Sequence, residues 1–184
     1  MNDTTPTMPD AAGLRWTGER YLPSVGGQIR YEHLHRYALC KSLVRGLDVA
    51  DVACGEGYGS AAMAAVARSV VGVDISPEAI ACATQAYGYL DNLNFVQGRA
   101  DAIPLPDASV DVVVSFETIE HHDRHEEMLA EIRRILRPSG VLVISSPDRR
   151  TYAQAAPERD DGVADDVLRR LGHRAAAGAS RRDR

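Results

Sequence analysis

The feature that most restricts how this chain can fold is an alternation of short Val- and Ile-rich runs with helical stretches. The runs at Leu47 to Ala53, Ser69 to Val73, Leu93 to Val96, Val110 to Phe116 and Val141 to Ser145 set apolar residues side by side. That is the pattern of strands buried on both faces of a parallel sheet. Between them, Ser60 to Ala67, Pro77 to Tyr87 and His125 to Leu136 carry apolar residues at helical spacing. Ser76 caps and Pro77 opens the second of these helices, and Pro138, Ser139 and Gly140 break the chain after the third. A further helix, Gln28 to Arg45, precedes the first strand and stops at Gly46. The order predicts an α/β domain with a doubly wound, mostly parallel sheet, helices on both faces, and a ligand site beyond the carboxyl ends of the strands.

Length and composition limit what that site can serve. The 184 residues, 45% of them hydrophobic, allow one domain with a tail. A net charge of -5, with Lys41 the lone lysine, gives no basic field for nucleic acid. The longest apolar stretch, Ala61 to Val73, is interrupted by Arg68, so no membrane span is expected. Cys40, Cys54 and Cys82 follow neither a disulfide framework nor a paired zinc spacing, which points to the cytoplasm. Four segments are expected: an arm at 1–13, a cap segment and helix at 14–46, a core at 47–148, and an atypical, largely disordered tail at 149–184.

The chemistry starts at Asp51-Val52-Ala53-Cys54-Gly55-Glu56-Gly57-Tyr58-Gly59, which closes the first strand and opens the first crossover helix. Glycine permits positive φ and lacks Cβ, so Gly55 and Gly57 let the backbone turn sharply and touch a ligand. Asp74 ends the second strand roughly 20 residues later, where an acid accepts hydrogen bonds from ribose hydroxyls. Loop and acid together imply a nucleoside. The dinucleotide fingerprint requires a glycine where Ser60 stands, and Asp51 adds negative charge where a pyrophosphate would lie. The ligand therefore carries a cationic group.

With Val71-Gly72-Val73-Asp74, Gly98 to Pro104, Asp111 to His121 and Leu136 to Pro147 added, the chain resembles the class I S-adenosylmethionine-dependent methyltransferases over about residues 14–148. The resemblance implies a Rossmann-like fold and S-adenosyl-L-methionine as cofactor. It places Asp51, Gly55 and Gly57 at the methionine part, Asp74 on the ribose and Ile75 on the adenine face. Asp101 would meet the adenine amine, Ala102 would offer its backbone N–H to the ring, and Ser115 and Glu117 would lie at the methionine end. His121 is the candidate base for a hydroxyl acceptor, with Glu120 and Glu117 beside it. Glu120 and His121 could equally serve to orient their loop. The chemistry asks for few such groups, because a sulfonium is already an activated leaving group and alignment does most of the work.

His121, His122, Asp123, His125 and Glu126 are dense enough to suggest a metal, but they read as a solvated polar face and no metal is expected. Trp16 to Pro23 and Tyr31 to Tyr37 are rich in functional side chains and resemble the cap of methyltransferases of glycan or natural-product assembly. They serve equally well as packing at the sheet edge. The acceptor implied is a small molecule or glycan. After Asp148 no strand pair can be read, so the family's last hairpin is missing, by replacement or a shifted reading frame. The exposed fifth strand then invites a protein partner or self-association. Two rival readings remain: a non-catalytic or partner-dependent cofactor-binding fragment, and an NAD-type oxidoreductase.

Overall fold

The structure is a computed structural model that describes residues 28–146, with side chains from residue 35 onward. It contains five strands: β1 (Asp48–Val52), β2 (Ser69–Asp74), β3 (Leu93–Gln97), β4 (Val110–Phe116) and β5 (Leu136–Ser145). Helix α1 (Gln28–Leu43) precedes them, and α2 (Tyr58–Ala64), α3 (Pro77–Tyr87) and α4 (His125–Ile135) connect them. The expected arm at 1–13, the Trp16 to Pro23 segment and the tail at 149–184 lie outside the described residues.

All four strand pairings are parallel and the sheet order is β3-β2-β1-β4-β5. The chain thus winds outward twice from β1, and the direction reverses between β1 and β4, where such sheets bind ligands. One face packs Val49, Val70, Val112 and Val114 against Tyr37 of α1, Val44 just past it, Met63 of α2 and Ala83 of α3. The other packs Ala50, Val52 and Val113 against Met128, Ile132 and Ile135 of α4. Adjacent strand residues feed opposite cores, which is why the strands read as unbroken apolar runs.

Four strands keep their expected limits to within a residue or two, and the fifth departs. The strand begins at Leu136 rather than Val141, directly from α4, with Leu136 opposite Val110 and the register shifting before Val141 meets Val112. The Pro138-Ser139-Gly140 break is therefore a detour inside β5. Arg137 holds it: its guanidinium lies 2.6 Å from Asp111 and 3.0 Å from Asp48. Arg68 joins the same two acids from the foot of β2, and these cations hold the Asp48 carboxyl well below the usual carboxylate range. This ionic cluster fastens the amino ends of the strands and leaves the carboxyl ends for the site.

Candidate functional site

β1 delivers Asp51 to the carboxyl edge of the sheet, fully buried. Ser60 of α2 donates to Asp51 Oδ2 at 2.6 Å and the Tyr37 hydroxyl donates to Oδ1 at 3.3 Å. Burial pushes this carboxyl up to about 6, against the two hydroxyl bonds that favour its ionised form, and the charge of Asp74 adds to the rise. Neither partner was legible in the sequence reading, where Ser60 stood out only for spoiling a dinucleotide fingerprint.

Past β1 the backbone turns through three positive-φ residues, Ala53, Gly55 and Gly57. Ala53 and Cys54 both donate to the Val73 carbonyl, which clamps the loop to the end of β2. The two glycines serve different ends. A Cβ on Gly55 would stand in open space, whereas one on Gly57 would lie 2.5 Å from Phe95 and 2.9 Å from Ala83. Of these two, Gly55 leaves its backbone bare and Gly57 makes room for the core.

The fold brings Asp74 against the loop at Gly55. Asp74 Oδ2 accepts the Gly55 N–H at 2.8 Å and Oδ1 accepts the Ser76 N–H at 2.9 Å. Each oxygen keeps a further lone pair, and the residue is half-buried. The carboxylate can therefore take two hydroxyls while it holds the loop. Ile75 beside it is 61% exposed, an apolar surface next to that carboxylate.

The other expected residues are more committed. Arg99 binds Asp101 bidentately at 2.8 and 2.9 Å, Arg124 binds it at 2.6 Å, and these cations hold it down to about 2. The Ala102 N–H donates to the Arg99 carbonyl. Ser115 is fully buried, and its Oγ has no hydrogen-bond partner among the described residues. Glu117 follows β4 in the left-handed region at φ 52°, a strained conformation for a residue with a side chain. It accepts the Ser145 hydroxyl at 2.7 Å and lies 3.4 Å from Arg36. Glu120 and His121 form a single 3-10 turn, Ile119–His121, with His121 exposed. His125, buried in the first turn of α4, donates through Nε2 to the Ile119 carbonyl at 2.8 Å and fixes that turn.

The Cβ-free surface at Gly55, the oxygen pair of Asp74 and the apolar rim at Ile75 fit a nucleoside whose other end meets acids. Residues 50–144 match the family model described as a methyltransferase domain. A probable S-adenosylmethionine-dependent methyltransferase of Mycolicibacterium smegmatis is 38% identical over 162 residues, which cover 87% of this chain and 60% of that protein. A fatty-acid O-methyltransferase of the same organism is 29% identical, covering 78% of this chain and 54% of its own length. The chain thus spans little more than half the length of these curated relatives. The crystal structure of a Pyrococcus horikoshii protein superposes with a TM-score of 0.63 at 28% identity, covering 75% of this chain and 68% of the other.

Proposed function

The chain belongs to the S-adenosylmethionine-dependent methyltransferase family, and we propose that it transfers the methyl group to an oxygen of a small-molecule or sugar hydroxyl in the cytoplasm, in glycan or natural-product assembly. The observation that carries the reading is Asp74: one carboxylate orders the glycine loop and keeps lone pairs for a ribose. Bound there, S-adenosylmethionine supplies an electrophilic methyl on a sulfonium.

The chain's own residues supply position. Asp74 would accept the ribose hydroxyls, Ile75 would cover the adenine, and Gly55 would let the backbone approach the methionine part. Asp101 and Ala102 would meet the adenine edge; Arg99 and Arg124 would have to share Asp101 with an adenine amine, and the Ala102 N–H would have to leave the Arg99 carbonyl to reach the ring. Asp51 and Glu117 supply the negative field at the ammonium end, with Ser115 beside it. Aligning acceptor oxygen, methyl and sulfur is most of the catalysis. His121 would take the proton the hydroxyl loses, with Glu120 beside it in the turn that His125 fixes and Glu117 just ahead of that turn. The likeness to a fatty-acid O-methyltransferase supports an oxygen of a small molecule as acceptor. Among the described residues β5 pairs with β4 alone, and Val141 on it is 44% exposed, which supports a protein partner along that edge.

The test is to incubate the chain with methyl-labelled S-adenosylmethionine and a panel of lipid, sugar and polyketide alcohols. The expected result is label on oxygen with an equal yield of S-adenosylhomocysteine, lost in His121→Ala. A chain that binds the cofactor and labels no acceptor is instead a binding module.

A further inference from the structure

Two consecutive residues of α1 reach acids at two different strand ends. Tyr37 donates to Asp51 on β1, and Arg36 lies 3.4 Å from Glu117 just past β4. These are the strands between which the sheet order reverses. The Tyr37 ring is fixed on every side. It meets Tyr58 and Phe116 edge to face, with centroids 5.6 and 5.0 Å apart, and fills the space a side chain on Gly59 would need. The Arg36 and Glu117 side chains are 27% and 21% exposed, so their attraction is only partly screened.

We propose that α1 is a two-point clasp on the cofactor pocket: Tyr37 and Arg36 are positioning residues that hold Asp51 and Glu117, so that seating of the helix and binding at the ammonium end of the cofactor are coupled. The inference rests on the S-adenosylmethionine reading and deepens it. The groups that face Asp51 are Tyr37 and Cys40 from α1, Ser60 from α2 and Asp74 from the end of β2. Burial raises the Asp51 carboxyl to about 6, and the Tyr37 hydroxyl opposes the rise. Removing that hydroxyl lifts it further, so less of the carboxylate is ionised to meet an ammonium at a given pH.

The experiment is calorimetric titration of the whole chain with S-adenosylhomocysteine, which keeps the ammonium, at several values between about pH 5 and 8. The parent should lose affinity as pH falls through about 6. Tyr37→Phe keeps the ring, and its midpoint should move up by about half a unit or more. Arg36→Met should bind about tenfold more weakly, with Arg36→Lys recovering most of the loss. A Tyr37→Phe midpoint equal to the parent's, or an Arg36→Lys no better than Arg36→Met, overturns the clasp. Should Tyr37→Phe fail to fold, the Arg36→Met and Arg36→Lys pair decides the clasp. A parent that binds no S-adenosylhomocysteine at any pH removes the methyltransferase reading itself.

Discussion

At the scale of single residues, the site is held by carboxylates that do two jobs each. Asp74 takes two backbone N–H groups and has lone pairs left for a ribose. Asp74→Ala should therefore lose at least about 100-fold in S-adenosylhomocysteine affinity, since charge-assisted hydrogen bonds contribute on the order of 1.5 to 3 kcal/mol each and the loop loses its tie as well. Calorimetric titration reads this, and parental affinity would remove Asp74 from the pocket. Asp51 shows the cost of such a site. Its folded carboxyl, at about 6, lies above the ordinary value, so the native state binds the proton more tightly than the unfolded chain does. Its contribution to stability therefore falls as pH rises from about 4 to 6 and stays low above. Asp51→Asn should raise stability by roughly 1 to 3 kcal/mol near neutral pH, and by little near pH 4, while weakening cofactor binding. Thermal melts at the two pH values check this; equal gains at both would refute the burial account. The acids were legible because spacing along one strand and loop exposes them. Their partners Tyr37, Ser60, Arg36 and Arg124 were not, because each contact joins residues that only the folded chain brings together.

At the scale of elements, the glycine loop divides its labour between site and core. Gly57→Val should cost about 2 kcal/mol or more, because a side chain at φ 77° would strike Phe95 and Ala83. Gly55→Ala should cost only about 1 kcal/mol of backbone strain yet lose more cofactor affinity, since its Cβ would stand in the open space before the loop. Melting and titration of both variants separate the roles, and equal losses of stability would refute the division. The sequence could show that glycines were required but not which side of the loop each one faced. The helices and four strands were legible because their apolar periods differ and Ser76 caps α3 as its position suggests. The start of β5 was not, because the pairing of Leu136 with Val110 and the contacts of Arg137 with Asp48 and Asp111 join residues far apart along the chain. Arg137→Ala should lower the melting temperature slightly, less at high salt, as a cluster of half-exposed ion pairs dictates. A salt-independent melt in the parent and no loss in the variant would contradict that.

At the scale of the whole molecule, strand order follows from chain order. Parallel strands need crossover helices, and a sheet covered on both faces must reverse direction once, which here falls between β1 and β4. That reversal sets the Asp51 loop, Asp74 and Glu117 at three strand ends along one edge of the sheet. We propose that this edge takes a nucleoside bearing a sulfonium and an ammonium rather than a dinucleotide pyrophosphate. The most direct measurement is a pair of calorimetric titrations of the chain, one with S-adenosylhomocysteine and one with NAD. The account predicts saturable one-to-one binding of S-adenosylhomocysteine and none of NAD; binding of NAD without S-adenosylhomocysteine would contradict it.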